Sequence, residues 1–224
     1  MNGFLIINKP KGMTSFAVVD TIHKLLKIKA GHAGTLDPMA EGVLIVLLGR
    51  ATKSAKTFEA SDKEYEAEIT FGIETDSLDS SGKITSQKTA DVKEEQLRRI
   101  LSEFMGETEQ IPPMISALKH KGVRLYKLAR AGIEVEREPR KITISKLELL
   151  GFSGNKASIR VGCSKGTYIR SLCADIGTKL GCGAHMSKLT RTRSGEYSID
   201  KAVTLENAIR FHNLGKLESL ICPI

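Results

Sequence analysis

The stretch Gly31-His32-Ala33-Gly34-Thr35-Leu36-Asp37-Pro38-Met39-Ala40-Glu41-Gly42, with Val43-Leu44-Ile45-Val46-Leu47-Leu48 directly behind it, decides how the rest of the chain is read. Its glycines free the backbone for turns or close approach. Pro38 biases Asp37 toward an extended conformation. The segment therefore reads as a loop and not as the interior of a helix or strand. The unbroken apolar run after it reads as a strand buried on both faces. A carboxylate, with His32 five residues ahead of it, thus sits on a loop that leads into the core. Loops presented by a rigid scaffold are where catalytic groups collect. Asp37 equally suits an Asp-Pro turn, and the residues alone leave both readings open.

Upstream, Gly3 to Asn8 is a short buried strand that runs into the turn Lys9-Pro10-Lys11-Gly12. Thr14 or Ser15 can cap the next helix, whose apolar stripe is Phe16, Val18, Val19, Ile22, Leu25 and Leu26. Downstream, Ala51 to Ala60 is a short helix. Glu64 to Phe71 alternates strictly, which predicts a strand with one wet face. Tyr65 shares the buried side with Ala67, Ile69 and Phe71. Residues 72–82 form a polar loop and Lys83 to Gln87 a short strand. Asp91 and Glu94 have capping-box spacing ahead of a helix that places Leu97, Ile100, Leu101 and Phe104 on one face.

Residues 107–136 are less regular. Ile111 to Met114 is extended, and Arg124 to Ala131 is a short basic helix ended by Gly132. Lys141 to Phe152 and Ala157 to Cys163 pair as antiparallel strands around Ser153-Gly154-Asn155. Ser164 to Thr167 lead into a helix with Ile169, Leu172, Cys173, Ile176 and Leu180 on one face. Arg170 lies in its first turn, where a cation opposes the helix dipole at a cost of up to ~1 kcal/mol. Either Arg170 is exposed and the cost is screened, the simpler reading, or it is held there to meet a carboxylate. Ala184 to Gly195 is a strand with Leu189 its main apolar residue, and Asp200 to Phe211 and Leu214 to Leu220 are helical. Strands and helices mix without regular alternation. That predicts an α+β domain with a largely antiparallel central sheet flanked by helices, not a doubly wound nucleotide binder. No phosphate-loop or dinucleotide fingerprint is present.

Lys and Arg total 34 against 26 Asp and Glu in 224 residues, a net charge of +8. A basic chain suits a polyanionic partner such as nucleic acid. The excess concentrates between Lys119 and Lys146, with Lys188, Arg191 and Arg193 as a second group, although interleaved glutamates also fit a solvated face. Cys163, Cys173, Cys182 and Cys222 lack zinc-ligand spacing and read as reduced thiols of a cytosolic protein. No apolar stretch is long enough to span a bilayer.

Taken together, five ordered stretches resemble one family. Asn8 to Ser15 looks like its N-terminal motif, and Gly31 to Pro38 with Ala40 and Gly42 like its catalytic loop. Lys63-Glu64-Tyr65 looks like its tyrosine motif, Gln110 to Lys119 like its substrate-binding insertion, and Cys163 to Arg170 like its arginine motif. The family is the bacterial tRNA pseudouridine-55 synthases, TruB. The likeness runs in order from about residue 2 to residue 195.

The resemblance implies a pseudouridine synthase fold and conversion of uridine in the tRNA T-arm loop to pseudouridine by base flipping, with no cofactor or metal. Asp37 matches the essential aspartate, acting as nucleophile or as base at the sugar. Tyr65 would lie against the uracil face, Arg170 would pair with Asp37, and His32 would fill the gap left by the extruded base. Lys9 and Leu189 match positions that line or support the pocket. Lys119, Lys121, Arg124, Lys127 and Arg130 would meet the RNA backbone. Residues 1–224 are expected to form the catalytic domain of a monomer, with the insertion around 107–136 and without the small C-terminal RNA-binding domain, of PUA type, that bacterial members carry. Two other readings are an RNA-binding or RNA-folding module independent of catalysis, and a guide-dependent catalytic subunit like the archaeal and eukaryotic relatives.

Overall fold

A computed structural model describes residues 1–224. The chain runs through β1 (Gly3–Lys9), α1 (Ser15–Leu26), β2 (Ala30–Ala33), β3 (Glu41–Leu48), α2 (Ala55–Ala60), β4 (Lys63–Phe71), β5 (Ile73–Thr75), β6 (Ile84–Gln87) and α3 (Glu94–Glu103). It continues through β7 (Gly106–Gln110), β8 (Lys119–His120), β9 (Val123–Arg124), α4 (Leu125–Arg130), β10 (Arg140–Ser153), β11 (Lys156–Cys163), α5 (Ile169–Lys179), β12 (Ala184–Ser194), β13 (Tyr197–Ser198), β14 (Val203–Thr204) and α6 (Leu205–Asn213). This is the mixed α+β arrangement expected from the sequence. No helix is long and apolar enough to cross a membrane. Two compact units result: Met1–Glu66 with Leu189–Ile224, and Ala67–Lys188.

In the first unit β3 is the central element. It pairs antiparallel with β1 from Gly3↔Leu48 to Lys9↔Gly42 and with β2 from Ala30↔Leu48 to Ala33↔Ile45. The end of β12 joins it in parallel, with Thr190↔Glu41 and Arg191↔Gly42 in register. Alternate residues of β3 feed two cores, which is why its sequence is apolar throughout. Leu44, Val46 and Leu48 pack with Val18, Val19 and Ile22 of α1 and with Leu205 and Ala208 of α6. Val43, Ile45 and Leu47 pack with Phe4, Ile6 and Ala51 on the other face. Thr14 caps α1 by accepting from the Ala17 N–H at 3.0 Å.

The glycine-rich stretch departs from a pure loop, because Ala30–Ala33 is a strand held by its ladder to β3. The loop proper is residues 34–40, the crossing of a β-hairpin. That ladder is set by backbone pairing, which side-chain patterning does not report.

In the second unit β10 pairs antiparallel with both β11 and β7. Helix α3 packs on β10 and α5, burying Leu97, Ile100 and Leu101. The expected capping box does not form: Lys93 occupies the cap position without a side-chain bond, and Asp91 pairs instead with Lys93 at 2.9 Å. Helix α5 buries Ile169, Leu172, Cys173 and Ile176. All four cysteines are free thiols, three of them buried.

Candidate active site

In the first unit the backbone of the Asp37 loop is tied down on several sides. Ser15 Oγ accepts from the Leu36 N–H at 2.9 Å and donates to the Leu36 carbonyl at 3.1 Å, so it serves the loop and not its own helix. The Gly12 N–H donates to the Pro38 carbonyl at 2.7 Å, and the Ala40 N–H closes a turn onto the Asp37 carbonyl at 3.1 Å. Lys9, fully buried, donates from Nζ to the carbonyls of Met13 (2.7 Å), Pro10 (2.9 Å) and Pro38 (3.4 Å). Burial pushes the Lys9 ammonium down to about 8, against the pull of the Asp37 and Glu41 carboxylates and with the push of Arg191. Lys9 therefore braces the loop from beneath while sharing a local field with Asp37, which is itself partly exposed.

His32 points its Nδ1 into a buried position without a hydrogen-bond partner. Burial lowers its pKa, opposed by Glu59 and reinforced by Arg191, so the ring is poised as neutral imidazole. Tyr65 and Leu189 are both buried in this unit, Tyr65 on the side that its strand alternation predicts. Lys63 is also buried and donates to the Glu59 carbonyl at 2.6 Å, which fixes the start of β4 just before Tyr65.

In the second unit Arg170 is only 3% exposed, so the simpler expectation of a solvated arginine is corrected. Its Nη1 donates to the Ser77 carbonyl at 2.9 Å and its Nη2 to the Ile115 carbonyl at 2.8 Å. The carboxylate that offsets its position on the helix dipole in this unit is Asp79, with Nε to Oδ2 at 3.7 Å. Asp79 in turn accepts from Ser77 Oγ at 2.7 Å and the Ser81 N–H at 2.9 Å. The 75–82 turn is pinned to β12 by Met186 N–H to Leu78 carbonyl (3.1 Å) and Ser80 N–H to Met186 carbonyl (3.0 Å). Asp79 was hidden in a stretch that reads as a plain polar loop.

The base of the 107–136 segment is fixed beside Arg170. The Gln110 side chain donates to the Tyr168 carbonyl at 3.0 Å and accepts from the Tyr168 N–H at 2.8 Å. Further out, β8 and β9 form a hairpin whose turn residues Lys121 and Gly122 both have positive φ, as a type I′ turn requires. Lys119 and Arg124 lie directly opposite each other on it. Like charges placed so are destabilising, and a bound anion relieves the repulsion. Lys119, Lys121, Arg124, Lys127 and Arg130 are all exposed, with Arg130 5.5 Å from the centre of the Tyr126 ring.

Arg191 was grouped with the outer basic residues by sequence, yet it is 1% exposed. Its Nε donates to the Val43 carbonyl at 2.7 Å and its Nη2 to the Gly34 carbonyl at 2.9 Å. Strand alternation offered the missed signal: Arg191 lies two residues from Leu189 and shares its buried face.

Residues 23–169 match the TruB family pseudouridylate synthase N-terminal domain, and residues 170–224 match the tRNA pseudouridylate synthase B C-terminal domain. The chain belongs to the TruB family. Among curated TruB relatives, the tRNA pseudouridine synthase B of Pelotomaculum thermopropionicum is 50% identical over 99% of this chain and 72% of its own length. That of Dehalococcoides mccartyi is 48% identical over 100% of this chain and 75% of its own. Among solved structures, a Cbf5-Nop10-Gar1 complex is similar at TM-score 0.79 and 34% identity over 99% of this chain, which spans 60% of that one. An H/ACA ribonucleoprotein bound to a substrate RNA containing 2'-deoxyuridine is similar at TM-score 0.73 and 32% identity, this chain spanning 55% of that one. Membership makes the fold that of a pseudouridine synthase and the chemistry of the family an RNA isomerisation.

Proposed function

We propose that this chain isomerises uridine 55 in the T-arm loop of tRNA to pseudouridine, with Asp37 as the essential carboxylate. The observation that carries the reading is the Asp37 loop itself: a single-carboxylate hairpin crossing fixed from beneath by Lys9 and Ser15. In the reaction the N1–C1′ bond breaks and a C5–C1′ bond forms. The proton leaving C5 is matched by one gained at N1, so the step balances within the substrate and calls for no cofactor or metal. Asp37 starts it either by attacking C1′ or by taking a proton from the sugar.

The base must first leave its stack, at a cost of a few kcal/mol. Tyr65 offers an aromatic face, and such stacking contributes roughly 1–3 kcal/mol per base. A carboxylate in a water-poor pocket tends to protonate unless a cation is near; Arg170, which also pairs with Asp79, is the cation this reading gives Asp37. Neutral His32 suits insertion among RNA bases. Lys9 and Leu189 support the pocket. The exposed cations of the β8–β9 hairpin and α4 neutralise phosphates, and a folded RNA loop is recognised mainly by shape. Lys9 to Leu189 and the basic residues thus fall into one scheme, acting as a soluble monomer on the T-arm.

The test is a T-arm hairpin transcript incubated with the protein and probed with carbodiimide, whose pseudouridine adduct arrests reverse transcription. An arrest at position 55 supports the reading, and its absence with RNA bound removes it.

A further inference from the structure

The β2–β3 ladder ends at the Ala33↔Ile45 pair. Beyond it the two strands part to make the crossing that carries Asp37, and their backbones no longer bond each other. The Arg191 guanidinium spans that opening. One N–H reaches the carbonyl of Gly34, the first residue past the ladder on one side, and another reaches Val43 on the other. It stands in for the rung that the backbone cannot make.

The stem of Arg191 is itself fixed. Its backbone runs so close over Gly42 that a Cβ there would lie 2.3 Å from the Arg191 carbonyl oxygen, and Gly42 has φ +106°. Gly34, with φ +79°, turns the chain beside the guanidinium. The clasp therefore joins three strands at the root of one loop.

We propose that Arg191 is a positioning residue that sets the Asp37 loop in its reactive geometry by bridging Gly34 and Val43. This inference rests on the reading of Asp37 as the reacting carboxylate. Burying a permanently charged group against neutral carbonyls is expensive, and an apolar side chain of similar volume often gives the more stable protein. Stability alone therefore does not call for arginine here, whereas geometry does. Guanidinium is planar and donates in two fixed directions at once, and a lysine ammonium is a point charge that cannot copy that fork. Reacting groups displaced by about 1 Å lose roughly 100-fold in rate, so a loosened loop root acts on turnover more than on RNA capture.

The experiment measures tritium release from a T-arm hairpin labelled at uridine C5 for wild type, Arg191→Lys and Arg191→Met. RNA affinity is measured by anisotropy and folding by thermal melts. Arg191→Met should lose roughly 100-fold in kcat and Arg191→Lys about 10-fold, both keeping affinity within about threefold of wild type. Arg191→Lys keeps charge and stem, so it decides the matter even where Arg191→Met does not fold. Wild-type kcat in Arg191→Lys, or affinity and kcat falling together in it, overturns the proposal. A wild type that binds the hairpin and releases no tritium overturns the functional reading beneath it instead.

Discussion

Arg170 and Asp79 form a buried ion pair, 3.7 Å between Nε and Oδ2, with side chains 3% and 6% exposed. The pair explains why a cation occupies the first turn of α5 against the helix dipole. It also joins the 75–82 turn to the root of the insertion, because the same guanidinium bonds the carbonyls of Ser77 and Ile115. Truncating Asp79 removes its ion pair with Arg170 and its bonds to Ser77 and Ser81, and breaking a buried pair typically costs about 3–5 kcal/mol. Asp79→Ala should therefore lower the free energy of unfolding in urea by about 3 kcal/mol. A loss below about 1 kcal/mol would show the pair to be screened like a surface bridge.

Gly42 accepts no side chain unless the neighbouring strand shifts. Its φ of +106° acts together with the Arg191 backbone, whose atoms would lie 2.3–2.9 Å from a Cβ at this position. Gly42→Ala should destabilise by more than the ~1 kcal/mol expected of a backbone effect alone. The comparison is with Gly12→Ala, where φ is +88° but no atom lies within 4 Å of the added carbon. Equal melting temperatures for the two variants would contradict the close β3–β12 approach.

How much of this was open to a reader of the sequence depends on the kind of force involved. Val43 to Leu48 announced a doubly buried strand because burial selects apolar residues on both faces, and all six are fully buried. Tyr65 and the α5 stripe followed from periodicity in the same way. Strand β2 did not, since hydrogen bonds to β3 hold Gly31 and His32 in place without any side-chain pattern. Asp79 and Arg191 act through partners far along the chain, 91 residues away for Asp79 to Arg170 and 148 for Arg191 to Val43. The residues around Asp79 say only that the stretch is a polar loop, and for Arg191 the one local signal is its two-residue spacing from Leu189.

Lys9 makes stability depend on pH in a particular direction. Its ammonium titrates at about 8 in the folded chain against an ordinary 10.5. Between those values the unfolded chain holds the proton and the folded chain does not, so stability rises with pH across that window. Lys9→Met removes the group. The difference in unfolding free energy between wild type and Lys9→Met, measured from about pH 7.5 to 10.5, should shift in favour of wild type as pH rises. A flat or opposite trend would mean that burial does not disfavour the charge.

The basic hairpin should act by charge alone. Each phosphate contact removed lowers the slope of log affinity against log salt by about 0.7–0.9. Replacing Lys119, Lys121 and Arg124 together with alanine should reduce that slope by about 2 to 3 while kcat at saturating RNA stays near wild type. An unchanged slope would place the phosphates elsewhere.

The central claim is that Asp37 carries the chemistry. It is tested most directly by tritium release from a T-arm hairpin labelled at uridine C5, comparing wild type with Asp37→Asn under conditions where both bind the RNA. Asparagine keeps the size of the side chain and removes its charge and nucleophilicity. Wild type should release the label and Asp37→Asn should bind without releasing it. Full release by Asp37→Asn would contradict the account.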